Sequence, residues 1–254
     1  MRFASLGSGS GGNAMLICTG DTAVMLDCGF SVADTTRRLG RIGVCPEQLD
    51  AIVVTHEHDD HIGGVARLAR RYDVPVWMSH GTWRGLEGIF DDVPINLVEG
   101  YTAFSIGGLQ VEPFPVPHDA REPAQFVFGD GVMRLGVLTD TGESTPHIET
   151  MLSNCEALVI ECNHDLEMLA RSTYPRALRA RISSRVGHLD NGAAADLLSR
   201  VAGPGLRHVI GAHLSQHNNS ASLARCALSQ ALGCDPQWIG IADQDNGFDW
   251  RELR

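Results

Sequence analysis

The sequence predicts an α/β (α+β) protein in which two mixed sheets stack face to face and helices cover both outer faces, an αββα sandwich. Three observations predict it. The chain opens on short apolar runs of strand length, reaches a dense polar cluster at residues 55–64, and then returns to strands and helices. Directly after that cluster Val65, Leu68, Ala69 and Tyr72 fall at helical period, with Arg67, Arg70 and Arg71 off the stripe. Several apolar runs far apart in sequence end on a histidine or an aspartate, and in a sandwich the strand ends converge on one edge.

Taken in order, Arg2 to Leu6 reads as a strand and Gly7 to Gly12 as a glycine-serine turn. The turn matches G-x-G-x-x-G, and Asp27 lies near where a dinucleotide fold places its ribose acid. That fingerprint requires a helix directly after it. Here Asn13 to Cys18 is a brief apolar run cut by Gly20-Asp21, a second strand, so a nicotinamide or flavin site is rejected and the turn becomes a hairpin connection. Thr22 to Leu26 is a third strand, and a helix follows over the Val32–Leu39 region. Ala51 to Val54 is the strand that feeds the polar cluster. Val74 to Met78 is a strand and 82–89 a helix; residues 103–128 hold antiparallel strands broken by glycine. Gly129-Asp130-Gly131 is a hairpin turn, followed by a strand over 132–139 and a short helix opened by Pro146. Strands are expected at 157–160, 208–212 and 238–242, and helices near 175–183, 191–201 and 221–232.

A chain of 254 residues can form one large domain or two small ones. With no internal repeat or low-complexity linker, one domain over residues 1–254 is expected. Apolar content of 43% and charged content of 20% suit a globular enzyme. The net charge of -11 means that any polyanion must be bound by a local patch. All 20 basic residues are arginine, which reads as a compositional bias. The 7 cysteines are odd in number and without a Cys-x-x-Cys pair, the usage of free thiols in a reducing compartment. The start has no apolar signal region, and no apolar run approaches the ~18–20 residues of a membrane span. A cytoplasmic location without membrane association is expected.

The cluster Thr55-His56-Glu57-His58-Asp59-Asp60-His61-Ile62-Gly63-Gly64 carries the chemistry. Imidazole and carboxylate suit zinc and similar cations, and catalytic metal sites combine about three such ligands with an open position. On a loop after a strand, His56 and His58 both turn inward, while Asp60 and His61 open the helix and can face a second ion. Downstream, His118, Asp140 and His213 each end an apolar run. A lone histidine or aspartate at a strand end is an ordinary turn residue; the pattern H-x-H-x-D-H is not.

This segment resembles the signature of the metallo-β-lactamase fold superfamily. The resemblance runs from Ser5-Leu6-Gly7-Ser8-Gly9-Ser10-Gly11-Gly12-Asn13 to His213-Leu214-Ser215-Gln216-His217-Asn218-Asn219, and is nearest to the YycJ/WalJ group of exonuclease-like phosphodiesterases. It implies that His56, His58 and His118 hold one divalent ion, that Asp60, His61 and His213 hold a second, and that Asp140 bridges them. Zinc is the expected metal, with manganese or iron as alternatives. Asp27 would orient the metal histidines. A hydroxide shared by the two ions would attack the phosphodiester, which makes Asp60 and Asp140 part of the catalytic set. The group pattern has serine where Asp190 stands and an acid where His217 stands.

Cleavage of a phosphodiester also needs a proton for the departing oxygen. The resemblance points to His188, in Gly187-His188-Leu189-Asp190-Asn191, with Glu161 or Asp190 to orient it; the competing role is a loop histidine beside a helix cap. Arg171, Arg176, Arg179, Arg181 and Arg185 occupy a stretch without an acid, and guanidinium groups grip phosphate oxygens in pairs. They and Asn163 are the candidate substrate contacts; the competing reading of the arginines is the solvated face of a helix. His80 is expected to be structural and His147 solvated, while His164, at the site edge, His208 and His217 carry no assigned role. The expected function is a dinuclear metallohydrolase acting on DNA or RNA. The rival is a small-substrate hydrolase of the same fold, such as a cyclic phosphodiesterase, thioesterase or lactonase.

Overall fold

The computed structural model describes residues 1–86, 88–99 and 102–254. One sheet takes β1 (Arg2–Gly7), β2 (Ala14–Thr19), β3 (Thr22–Leu26), β4 (Ala51–Val53), β5 (Val76–Ser79) and β6 (Ile95–Val98). The other takes β7 (Phe104–Ile106), β8 (Leu109–Pro115), β9 (Ala124–Gly129), β10 (Arg134–Leu138), β11 (Ala157–Glu161), β12 (His208–Ala212) and β13 (Gly240–Ile241). A last strand, β14 (Phe248–Glu252), returns to pair with β1 on the free edge of the first sheet. Both sheets are mixed: β1 to β3 and β7 to β10 run antiparallel, β3 to β6 and β10 to β13 parallel. The helices are α1 (Val32–Arg41), α2 (Asp59–Ile62), α3 (Val65–Tyr72), α4 (His80–Gly85), α5 (Pro146–Leu152), α6 (Leu166–Arg171), α7 (Arg176–Ile182), α8 (Asn191–Val201) and α9 (Ala221–Leu232).

Strand alternation sorts the core into layers. On β1 and β2, Phe3, Met15 and Ile17 face the second sheet, where they meet Phe126, Phe128, Val137 and Val159. Ala4, Leu6, Leu16 and Cys18 point the other way and pack with Leu39 of α1 and Val65, Leu68 and Ala69 of α3. Across the second sheet, Val127, Leu138, Leu158 and Ile160 pack under α5, α8 and α9. Central strands are thus buried on both faces, which is why they read as unbroken apolar runs. The αββα expectation is met.

The differences have local causes. Edge strand β14 carries the exposed charges Asp249, Arg251 and Glu252, and edge strand β6 is half open, so neither shows an apolar pattern. Helix α6 is a single capped turn and a half and was not expected. The strand expected over 238–242 is instead a 3-10 turn at Pro236–Trp238, capped by Asp235, followed by the two-residue β13. The helix expected near 82–89 begins earlier, capped by Ser79, and ends at Gly85; Glu87 lies outside the described residues. No helix among the described residues is long and apolar enough to cross a membrane.

The strands deliver their C-terminal ends to one seam between the sheets. Among the described residues, Asp27, Asp140 and His213, which follow β3, β10 and β12, adopt φ of 58°, 52° and 54°. This left-handed backbone costs a non-glycine residue about 1–2 kcal/mol, and it turns each side chain off the strand direction at that seam. Gly29, just past Asp27, leaves no room for a side chain, because a Cβ would stand 2.0 Å from the Asp60 carbonyl oxygen.

Phe126 sits in the layer between the sheets at 1% exposure, so Phe126→Ala should cost about 3–5 kcal/mol of unfolding free energy. Val132→Ala, on a residue 78% exposed, should stay within ~0.5 kcal/mol. Denaturant melts of both variants check this; equal, small losses would contradict the assignment of the core.

Candidate metal centre

The loop after β4 and the short helix α2 bring His56, His58, Asp60 and His61 to the seam, and the ends of β8, β10 and β12 bring His118, Asp140 and His213 to meet them. His56, His58 and His118 converge as one set of donor atoms; Asp60, His61 and His213 converge as a second. Asp140 joins the two, standing with His56 and His61 on one side and with His213, Glu161 and His188 on the other. These are the groupings implied by the sequence resemblance.

Hydrogen bonds to the far side of each ring aim its free nitrogen inward. Asp27 accepts from the Thr55 hydroxyl at 2.9 Å and from His61 Nδ1 at 2.8 Å. The Thr55 oxygen, its proton committed to Asp27, then accepts from His56 Nδ1 at 2.9 Å. His118 Nδ1 donates to the Gly187 carbonyl at 3.1 Å, and His213 Nδ1 donates to Glu161 Oε1 at 3.0 Å. Such outer partners fix tautomer and ring orientation.

The inward nitrogens do not satisfy one another. His56 Nε2 lies 3.0 Å and His118 Nε2 lies 3.3 Å from the same atom, His58 Nδ1. One proton on His58 can serve only one of those two lone pairs, whereas a cation serves all three nitrogens. Nitrogens bound at 2.0–2.1 Å in tetrahedral arrangement stand about 3.3 Å apart, which is this spacing. In the second set, His61 Nε2 faces Asp140 Oδ2 at 3.0 Å and Asp60 Oδ2 at 3.4 Å. Asp140 Oδ2 is buried and accepts no aligned hydrogen bond. Buried carboxylate oxygen without a donor is costly, and a bound cation removes the cost. The donor set therefore fits a divalent metal.

The electrostatics agree. Burial lowers the proton affinity of His56 and His118, which keeps their rings neutral and their lone pairs free. Burial acts the same way on His61 and His213, but carboxylates outweigh it. Asp140 and Asp27 lift the His61 pKa well above the usual histidine range, and Asp140, Asp60 and Glu161 lift that of His213 to about 10. A pocket that attracts a proton so strongly attracts a metal cation by the same charges. Despite its burial, Asp140 is held well below the usual carboxylate range by His213 and His61.

His188 lies beside this cluster but outside both donor triads. Its Nδ1 donates to Glu161 Oε1 at 2.8 Å, while Glu161 Oε2 accepts the backbone N–H groups of Thr141 at 3.0 Å and Leu189 at 3.1 Å. Burial opposes a charge on His188, yet the Glu161 carboxylate raises its pKa above the ordinary histidine value. Burial likewise works against a charged Glu161, but His188 and His213 hold its pKa down to about 2. Asp190 does not orient His188: it caps α8, accepting from Gly192 and Ala193 N–H at 2.8 and 3.0 Å. Serine is also a cap former, so the departure from the group pattern at this position leaves the local structure intact.

A cleft of about 390 Å³ opens over the centre, lined by His58, Asp60, Asp140, Asn163, His188 and His213 together with Tyr174, Leu178, Arg181 and Ile182. Of the arginine stretch, Arg181 alone reaches this cleft, where it pairs with Asp119. Arg171 pairs with Glu167 within α6, Arg185 grips Glu143 with two nitrogens at 2.7 and 2.9 Å, and Arg176 and Arg179 border a separate groove. Helical periodicity spreads a run of arginines around α7 and away from a common target. Asn163 lines the cleft, but its amide donates to the His213 carbonyl at 3.1 Å and so holds a metal-facing strand end. His164 is buried outside the cleft with neither ring nitrogen hydrogen-bonded; His208 sits at the far end of β12; His147 is exposed.

Sequence reasoning missed Ser8, Asn13 and Thr55. The Ser8 hydroxyl accepts the His213 N–H at 2.9 Å, and the Asn13 amide reaches Asp60 Oδ2 at 3.2 Å and His61 Nε2 at 3.1 Å. The glycine-serine turn is thus a brace on the second donor set, tying His213 to Asp60 and His61. Its signal was present in the opening motif, without any titratable residue to mark it.

The family model described as the Beta-lactamase superfamily domain matches residues 22–213, and the chain belongs to the metallo-β-lactamase fold superfamily. Within it, the chain is 35% identical over 235 residues to exodeoxyribonuclease YycJ of Bacillus anthracis, covering 91% of this chain and 89% of that protein. It is 33% identical over 245 residues to exodeoxyribonuclease WalJ of Streptococcus pneumoniae, covering 94% and 91%. Among solved structures, the metallo-β-lactamase fold protein YhfI from Bacillus subtilis superposes with a TM-score of 0.77 over 99% of both chains at 17% identity, a likeness of fold.

Asp27→Ala should weaken metal binding about 10–100-fold, because His56 and His61 lose their common anchor. Asp50→Ala, at the opposite end of β3, where Asp50 accepts the Ala23 N–H at 2.8 Å, should leave it unchanged. Competition titration with a chelating dye measures both; equal affinities would contradict the role of Asp27.

Proposed function

We propose that this chain is a metal-dependent phosphodiesterase that removes nucleotides from the end of a DNA or RNA strand, with DNA foremost. The observation that supports this reading is the pair His188–Glu161 beside the donor cluster, with His188 lining the same cleft. The names of the YycJ and WalJ relatives support the same reading. The two donor sets favour two divalent ions, zinc foremost, with His56, His58 and His118 around one, Asp60, His61 and His213 around the other, and Asp140 between. When bound, the metal supplies Lewis acidity toward the phosphate and acidifies water at the site.

The chain's own residues do the rest. Glu161, pinned by Thr141 and Leu189, accepts a hydrogen bond from His188 Nδ1–H and so favours the imidazolium, whose Nε2–H is left to protonate the departing oxygen. Arg181 offers its guanidinium to phosphate oxygens at the mouth of the cleft. Against a net charge of -11 this local cation matters, and the nucleic acid contact is confined to the cleft. All seven cysteines are free, which suits a reducing cytoplasm as the place of action.

A panel run with zinc- and manganese-loaded protein tests the class: single- and double-stranded DNA, RNA, bis(p-nitrophenyl) phosphate, a thioester and a β-lactam. Phosphodiester turnover should exceed the rest; faster thioester or lactam turnover would overturn the proposal in favour of a small-substrate hydrolase. His188→Ala should lower kcat on DNA by about 10²–10⁴ with metal content intact. The loss should be far smaller on bis(p-nitrophenyl) phosphate, whose leaving group departs without a proton. Equal losses on both substrates would remove His188 as the acid.

A further inference from the structure

Helix α7 and the turn before it carry apolar residues that the core does not use. Tyr174, Leu178 and Ile182 are half-buried, none of them belongs to the packed clusters of either sheet, and α7 has no buried residue. All three line the same cleft as His188 and the donor sets. Their placement is fixed rather than incidental: the Ile182 carbonyl accepts the His188 N–H at 2.9 Å, so one hydrogen bond sets the distance between the apolar wall and the proton donor. Gly187 permits this approach, since a Cβ there would stand 2.2 Å from the same Ile182 carbonyl. The edge of the wall is stiffened by His217, whose ring meets Tyr174 at 6.0 Å in a T-shaped contact.

We infer that the wall of Tyr174, Leu178 and Ile182 is the binding site for one unpaired nucleobase, that of the nucleotide next to the cleaved bond. This rests on the phosphodiesterase reading above and names its substrate contact. A phosphate group at the donor sets leaves the base of the same nucleotide free to meet this wall within one cleft of about 390 Å³. Aromatic and aliphatic surfaces bind the π-face or edge of every base, so the site is tolerant of sequence. The wall presents no charged group of its own except Arg181, which is held by Asp119 and stands where the neighbouring phosphate lies. A base held in this way is unpaired, so a duplex end frays by one nucleotide before cleavage, while a single strand enters directly.

The test compares two 5′- and 3′-labelled oligonucleotide sets that differ only at the terminal residue, one with its base and one with an abasic tetrahydrofuran unit at either end. For the wild-type enzyme with added zinc or manganese, removal of the base from the end that is digested should lower kcat/KM by about 5–150-fold, the range of one base stacked on an aromatic side chain. In Tyr174→Ala that abasic penalty should shrink to about twofold, and Tyr174→Phe should restore it, since the ring and not the hydroxyl makes the contact. Leu178→Ala should reduce the penalty in part. An abasic end cleaved as fast as a normal one by the wild type, or an undiminished penalty in Tyr174→Ala, overturns the base site while leaving the phosphodiesterase reading standing. No cleavage of any oligonucleotide by metal-loaded wild type overturns both.

Discussion

The structure depends on how negative charge is neutralised at the seam between its sheets. Asp27, Asp60, Asp140 and Glu161 are brought there on strand ends and loops, in surroundings where Asp27, Asp140 and Glu161 are almost fully out of water. Bare carboxylates in such a place would be strongly destabilising. Each is answered by imidazole: His61 for Asp27, His213 and His188 for Glu161, His61 and His213 for both Asp60 and Asp140. Imidazole alone does not complete the account, because inward nitrogens face one another across 3.0 and 3.3 Å and Asp140 keeps an oxygen without a donor. Cation binding resolves both defects at once, so fold and chemistry share one electrostatic requirement.

That requirement explains where the chain accepts local cost. Asp27, Asp140 and His213 take left-handed backbone angles at the ends of otherwise regular strands. Backbone of this kind persists where the surroundings over-determine it and clusters at functional sites. The surroundings here are the two sheets, packed through a continuous apolar layer from Phe3 to Phe128. A rigid sandwich holds the strand ends, and the strand ends hold the side chains.

Much of this was legible in the sequence, for physical reasons that can be named. His56, His58, Asp60 and His61 fall in six consecutive positions, too dense for an ordinary turn, and His118, Asp140 and His213 each close an apolar run. The layered core was legible because buried parallel strands leave continuous apolar segments. Edge strands β6 and β14 were not, because solvent on one side removes the pattern. The arginine stretch misled in part: proximity in sequence suggested a common patch, whereas the helix distributes the residues and leaves only Arg181 in the cleft. Ser8, Asn13 and Thr55 escaped notice because neutral hydrogen-bonding residues carry no signal until their partners are known. The apolar side of α7, which no sequence pattern tied to a site, lines the cleft.

The claim on which the account rests is that the seam is a metal centre built from both donor sets. Anomalous diffraction from crystals of the zinc-loaded protein tests it most directly. The account predicts one peak within bonding distance of His56, His58 and His118, and a second within bonding distance of Asp60, His61 and His213, with Asp140 touching both. Zinc-loaded crystals with no anomalous peak at the seam, or with these side chains turned away from any peak, would contradict it.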